Sequence, residues 1–319
     1  MTRACGCLRP YRASGFVVRR EQLGDKALVH NYGHGGGGIT LSWGSSKLAT
    51  DLGLQGHGGP VAVIGAGSLG LTTARLVQEA GFPVTIYAAA LPPDTTSNVA
   101  GGQFFAHRVF ARGSATPQFE AQFRRALDYS WRRFQIMVGD DYGIRWLPTY
   151  EQASRPEPKL LDSFPPIDRM LSPAEHPFPF ESALRYDTLY IETGRFLRQL
   201  LRDVHVAGGK VEIRRFATPA DIAPLPEKLV FNCTGLGSRE LFGDTGMRPA
   251  RGQLAILLPQ PEVRYAAAGP WGYMFPRADG IVLGGTFELD EWSTVPNPAT
   301  IAEILAAHRL VFGAFRCGA

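Results

Sequence analysis

The run VAVIGAGSLGLTTA at 61–74 constrains this chain more than any other stretch. Val61 to Ile64 have the length and composition of a buried strand, and they lead directly into Gly65-Ala66-Gly67-Ser68-Leu69-Gly70. Over 68–81 the apolar spacing becomes helical, with Leu69, Thr73, Leu76, Val77 and Ala80 on one face. Gly81 closes this helix, and VTIYA at 84–88 reads as the next strand. Strand, helix and strand of these lengths make a βαβ unit with parallel strands. Each glycine then has a physical reason: Gly65 allows a tight turn, Gly67 lets backbone approach a pyrophosphate, and Gly70 lets the helix lie close to the sheet. Ser68 opens the helix, whose N-terminus would face the phosphates. A bound dinucleotide is the expectation, but the turn does not separate FAD from NAD. An acid after the second strand would normally take the ribose hydroxyls. Here Tyr87, Ala88, Ala89 and Ala90 stand in that region, and none is acidic.

A chain of 319 residues can form two domains around a sizeable core. Its 45% hydrophobic and 19% charged content is that of a globular protein. A net charge of +4 without a dense Lys/Arg tract argues against nucleic acid as partner. No stretch reaches the ~20 apolar residues needed to span a bilayer. MTRACGCLRP at the start lacks the apolar centre of a signal peptide, so a cytoplasmic location is expected. Cys5, Cys7, Cys233 and Cys317 are too few for a disulfide framework. Cys5-x-Cys7 has no matching Cys/His pair at zinc spacing, so reduced thiols and no metal site are expected.

Elsewhere, strands are expected at 15–20 and 27–32 and a helix over 40–52, followed by a Gly-rich joint at 51–60. The aromatic-rich stretch 119–138 has helical periodicity, whereas 145–179 is Pro-rich and reads as irregular. A helix at 193–208, a strand at 210–216 and a buried strand with a glycine turn at 228–235 follow. QLAILL, YMFPR and GIVLGGTF read as antiparallel strands of a second sheet, before a last helix at 299–316. Trp43, Trp131 and Trp292 are expected in the core.

HNYGHGGGGITLSWG at 30–44 is the second informative segment. It resembles the flavin-contacting segment of the D-amino-acid oxidase family. Five further blocks agree: Pro93-Asp94-Thr95-Thr96-Ser97-Asn98-Val99-Ala100-Gly101-Gly102, Phe231-Asn232-Cys233-Thr234-Gly235, Arg251-Gly252-Gln253, Gly284-Gly285-Thr286-Phe287-Glu288 with Trp292, and Leu8-Arg9-Pro10-Tyr11-Arg12. In the family, the segments resembling 8–12 and 30–44 follow the dinucleotide turn; here they precede it. The resemblance therefore implies a circularly permuted chain, with the joint at 53–60 as the new link.

The implied fold is α/β: a Rossmann-type FAD-binding domain with a parallel sheet, and an α+β substrate domain with a mainly antiparallel sheet. Residues 21–104 and 192–245 would form the first, and 1–20, 105–191 and 246–319 the second. The implied cofactor is FAD, held by Gly65, Gly67, Ser68, Gly70, Thr95, Thr96, Ser97, Ala100, Gly101, Gly102, Thr234 and Gly235. Gly35, Gly36, Gly38, Ile39 and Thr40 would present backbone and hydroxyl groups to the flavin ring. The implied reaction is oxidative deamination of D-amino acids, with hydride passing from Cα to flavin N5. Oxygen would return as hydrogen peroxide, and the imino acid would hydrolyse to 2-oxo acid and ammonia. Arg9 would bind the substrate carboxylate with both arms of its guanidinium, and Tyr273, in Tyr273-Met274-Phe275-Pro276, would donate its phenol to it. Hydride transfer needs no side-chain base at Cα, so none is nominated, and His30 and His34 are read as structural. No second basic residue can be assigned to an acidic substrate, which makes a neutral D-amino acid the expectation. A homodimer is left open. Gly269 stands where the family carries a lid tyrosine, and Gly37 where an aromatic is common. A more open site follows, with Trp271 or Tyr265 as partial substitutes. The alternatives are a glycine/sarcosine-type amine oxidase, a flavin dehydrogenase with another acceptor, and a weakly FAD-binding relative without catalysis.

Overall fold

The computed structural model describes residues 1–153, 161, 163–165 and 168–316. The chain opens with strands β1 (Arg3–Tyr11), β2 (Val17–Leu23) and β3 (Lys26–Tyr32) and helix α1 (Ser42–Gly53). Then come β4 (Val61–Ile64), α2 (Ser68–Glu79), β5 (Val84–Ala88) and the long helix α3 (Pro117–Gln135). Strands β6 (Ile144–Gln152), β7 (Asp168–Leu171) and β8 (Ala183–Ile191) precede α4 (Thr193–Val206), β9 (Lys210–Ile213) and β10 (Leu229–Asn232). The short α5 (Gly237–Leu241) leads to β11 (Arg248–Ile256), β12 (Ala266–Gly269), β13 (Gly272–Arg277), β14 (Gly280–Gly284) and β15 (Glu288–Leu289), and α6 (Pro298–Phe312) comes last.

Two sheets result. One has the order β2-β3-β10-β4-β5-β9, parallel throughout except for the β2–β3 hairpin. Its inner strands are buried on both faces, which is why they read as continuous apolar runs rather than alternating ones. Val29, Val63 and Phe231 point towards α1, α2, α3 and α4, while Leu28, Ala62 and Val230 pack on the other side against Ile222, Leu225 and Leu241. The second sheet has the order β1-β11-β14-β13-β12-β6-β8-β7, with β15 also on β11. It is antiparallel except where β12 runs parallel to β6. Helix α6 packs against β11, β13 and β14.

Local chemistry explains the helix starts. Thr116 caps α3 by accepting a hydrogen bond from the Phe119 amide (3.2 Å), with Pro117 in the first turn. Asn297 accepts from the Ala299 amide (2.9 Å), and Pro298 follows it in α6.

Two expectations need correction. The stretch 145–179 is not irregular throughout. It carries β6, which pairs with β8 in a nine-residue register, and β7; residues 154–160, 162, 166 and 167 lie outside the described ones. Trp43 and Trp131 are buried, but Trp292 is 49% exposed and belongs to no core.

Candidate active site

A cavity of about 970 Å³ runs between the two sheets, at the upper end of the ~300–1,000 Å³ usual for ligand sites. One wall is formed by the carboxyl ends of β3, β10, β4 and β5, where ligands bind in open parallel sheets. The other is formed by Cys7 to Pro10 of β1, Leu254 of β11, Tyr273 and Phe275 of β13, and Tyr186 of β8.

At the dinucleotide turn, β4 ends in Gly65 at φ +112°, and a β-carbon there would lie 2.6 Å from the Cys233 carbonyl oxygen. Gly70 does not line the cavity; a β-carbon on it would overlap the Gly65 carbonyl and push α2 off the sheet. The threonine-rich loop closes over this turn. Ser97 Oγ accepts from the Ser68 amide (3.0 Å) and donates to Ser68 Oγ (3.3 Å). Thr95 Oγ1 donates to Asn98 Oδ1 (2.8 Å), which braces the loop. Thr95, Thr96, Ser97, Ala100, Gly101 and Gly102 all line the cavity, as do Thr234 and Gly235 opposite them.

Sequence reading missed three residues at this end of the cavity. Beside Ala89 and Ala90, the wall is made by Arg214, Arg215 and Phe216, which follow β9. The Arg214 amide donates to the Ala88 carbonyl (2.9 Å), and its guanidinium lies 4.9 Å from the Phe216 ring centre. Only the pairing of β9 with β5 brings these residues here.

The glycine-rich segment follows β3. Gly35, Gly36, Gly38 and Ile39 line the cavity. A β-carbon on Gly35 would overlap the Arg108 carbonyl, and one on Gly36 would lie 2.5 Å from that of His107, so these glycines answer to packing. A β-carbon on Gly38 would meet nothing closer than 3.9 Å. Gly67, where a β-carbon would meet Ser97 Oγ at 3.1 Å, also lines the cavity with bare backbone, and the residues present fit FAD. Two residues are placed differently from the expectation. Thr40 is buried outside the cavity wall, its hydroxyl donating to the Phe105 carbonyl (3.1 Å) and accepting from the Phe105 amide (3.2 Å). Gly37 packs against Val109 rather than enlarging the site.

His34 is fully buried, stacked on Phe16 with ring centres 4.6 Å apart, and burial drives its pKa down to about 3. His30 Nδ1 meets the Asn232 amide at 3.0 Å and Nε2 lies 2.9 Å from Glu21. Burial lowers the pKa of both, so neither is set to hold a proton at neutral pH.

Arg9 projects from β1 into the same cavity, its guanidinium donating to the Thr286 carbonyl (3.2 Å). A β-carbon on Gly252 of the neighbouring β11 would overlap it. Tyr273 of β13 stacks on Phe275 with ring centres 4.4 Å apart and lies close enough to Arg9 to feel its charge. Burial raises the phenol pKa, against a smaller lowering by Arg9, so Tyr273 stays protonated at neutral pH. The guanidinium can only donate, so it does not compete for the phenolic hydrogen. Neither proposed lid substitute lines the cavity. Trp271 packs edge-on against His308 and Phe312, and Tyr265 against Tyr150 and Phe178. Sequence reading also missed His107 and Arg108, which enter the wall beside Arg9.

The sequence profile of the family described as FAD dependent oxidoreductase matches residues 60–317. The chain belongs to the FAD-dependent oxidoreductase family. Similar proteins include a D-amino-acid oxidase of Streptomyces coelicolor, 38% identical over 121 residues that make up 36% of this chain and 37% of that protein. A human D-aspartate oxidase is 29% identical over 222 residues, 67% of this chain and 64% of that one. The chain thus spans less than two thirds of the length of these curated relatives. Among solved structures, a glycine oxidase from Bacillus cereus superposes with a TM-score of 0.57 at 14% identity, covering 80% of this chain and 78% of that one; the likeness is one of fold. Among the described residues no acid, cysteine and histidine cluster could hold a metal ion, and no helix is long and apolar enough to cross a membrane.

Proposed function

We propose that this family member oxidises D-amino acids at Cα, with FAD as cofactor and oxygen as the final acceptor. The observation that carries the reading is the convergence of Arg9 and Tyr273 on one cavity with the dinucleotide turn and the glycine-rich segment. FAD, when bound, supplies the two-electron oxidation that turns an amino acid into an imino acid. The protein's contribution is placement. Arg9 would take the substrate carboxylate through two N–H donors while Tyr273 donates its phenolic hydrogen to the same group, which fixes the orientation of Cα. Gly65, Gly67 and the N-terminus of α2 would face the pyrophosphate, with Thr95, Thr96 and Ser97 closing over it. Gly35, Gly36, Gly38 and Ile39 would lie along the flavin ring.

The segment order supports a permuted arrangement as well. The family profile begins at residue 60, and the glycine-rich segment and Arg9 lie before it. The assignment of 21–104 with 192–245 to the cofactor unit, and of the remainder to the substrate unit, rests on the same reading.

The test is anaerobic mixing of the flavin-loaded protein with D- and L-alanine and D- and L-aspartate. Bleaching of the flavin by D forms alone is expected, followed by recovery and peroxide release when oxygen is admitted. Recovery only with an added dye would point to a dehydrogenase instead. Arg9→Met removes two charge-assisted bonds of ~1.5–3 kcal/mol each, so kcat/KM should fall ~10²–10⁴-fold while the flavin spectrum persists. Unchanged turnover would mean that Arg9 is not the carboxylate ligand.

A further inference from the structure

The substrate end of the cavity holds a second guanidinium beyond the one the proposed reaction uses. Arg108 lies on the segment that packs beneath the glycine-rich loop, its carbonyl accepting from the Gly36 amide (3.2 Å). Its backbone takes φ +52°, a conformation uncommon for a side-chain-bearing residue, which argues for a function or constraint at this position. Its guanidinium lies 4.7 Å from the centre of the Phe287 ring, and that ring is held edge-on by Tyr11 at 5.3 Å. Arg9 binds the carbonyl of Thr286, the residue immediately before Phe287. Consecutive residues of one strand-end loop therefore position both guanidiniums in one wall.

Among the described residues neither guanidinium has a carboxylate at ion-pair distance, whereas the part-buried Arg12, Arg145, Arg251 and Arg277 each have one. Of the two acids in the cavity wall, Asp94 belongs to the loop after β5, and Glu151, at the end of β6, accepts from the Tyr186 hydroxyl (3.4 Å). Burial, and then the charge of Arg9, pull Arg108 below its ordinary pKa, so the pair is held together against repulsion. His107 beside it is kept neutral by burial and by both arginines. Two unneutralised guanidiniums in a half-buried pocket match two anionic groups on one ligand.

We propose that Arg108 binds a second carboxylate and that the substrate is an acidic amino acid, in place of the neutral one expected from sequence. This rests on the assignment of Arg9 to the α-carboxylate. Phe287 and the Gly36 contact fix Arg108 before any ligand arrives, so little side-chain freedom is lost on binding.

The experiment measures kcat/KM for D-aspartate, D-glutamate and D-alanine with the flavin-loaded protein, together with calorimetric titration by malonate and by acetate. The acidic substrate should be preferred over D-alanine at least ~10-fold, and malonate should bind tighter than acetate. Arg108→Met should lower both the acidic-to-neutral and the malonate-to-acetate ratios ~10- to 100-fold, with partial recovery in Arg108→Lys. A wild-type protein that favours D-alanine, or ratios that Arg108→Met leaves unchanged, would overturn the proposal. If no D-amino acid reduces the flavin, the reaction reading fails on its own. The malonate-to-acetate ratio in wild type and variant still decides the role of Arg108.

Discussion

His34 shows how a single residue in the cavity wall sets a property of the whole protein. It is 1% exposed, its Nε2 has no partner among the described residues, and burial places its pKa near 3. The unfolded chain takes up a proton there near pH 6.5, whereas the native state refuses it until about pH 3. The folded value is the lower one, so stability falls as pH drops from about 6.5 towards 3. At pH 4.5 the expected loss from this group is ~2–3 kcal/mol. His34→Phe keeps an aromatic ring against Phe16 and removes the titration. Urea unfolding of both proteins with FAD in excess should show a gap that shifts by this amount between pH 7 and 4.5. Parallel curves would show that His34 is not the cause. The same scale explains what could be read in advance. Arg9 and Tyr273 stand in short motifs that resemble those of a known family, so their place in one cavity could be expected from the sequence. Arg108 stands in no such motif. Its place beside Arg9 comes from β1 lying on β11 and from Phe287 at the end of that sheet.

Among the elements, α1 was legible as a helix, but the reason for its small residues was not. Gly44 lies in its first turn, where backbone N–H groups lack helical partners. Its amide donates to Ser130 Oγ of α3 (2.8 Å), and a β-carbon would overlap the Ala126 carbonyl. The two helices touch backbone to backbone at that point, through residues that the sequence separates widely. Gly44→Ala gains ~1 kcal/mol of helix propensity, but the overlap has to be relieved by moving two packed helices, at ~1–3 kcal/mol or more. A net loss of stability is expected in thermal unfolding. Gly194→Ala, in the first turn of α4 with nothing within 4 Å of the added carbon, is the control and should be neutral or stabilising. Equal effects at both sites would show that the α1–α3 contact yields. Strand β6 was hidden for a related reason. Pro148 interrupts its apolar pattern, and proline is normally excluded from inner strands. It is tolerated because β12 pairs only with Thr149, Tyr150 and Glu151, so one side of Pro148 has no ladder to join.

For the molecule as a whole, the segment before residue 60 is no appendage. It supplies β1, which pairs with β11 over nine residues, and β3, an inner strand between β2 and β10. It also carries Arg9 and the glycine-rich segment, so both sheets and both ends of the proposed reaction depend on it. The sequence suggested this because motifs for both walls, Arg9 and the glycine-rich segment, stand before residue 60. The depth of the interlocking came only with the strand registers. Between this segment and the rest runs the joint at 54–59, where Gly56 and Gly58 have no neighbours within 4 Å of an added β-carbon. Cutting a loop of this kind removes a covalent link without removing packing. A protease site inserted between Gly58 and Gly59, cleaved in the folded protein, should yield two pieces that co-elute with the flavin in gel filtration and part only in denaturant. The buried registers of β1 and β3 would hold them together, and the cut should cost mainly the entropy of the lost tether, with a concentration-dependent Tm as its signature. Spontaneous separation of the pieces, or loss of the flavin on cleavage, would mean that the joint does more than connect, and that the order of segments is itself part of how the cofactor site is kept.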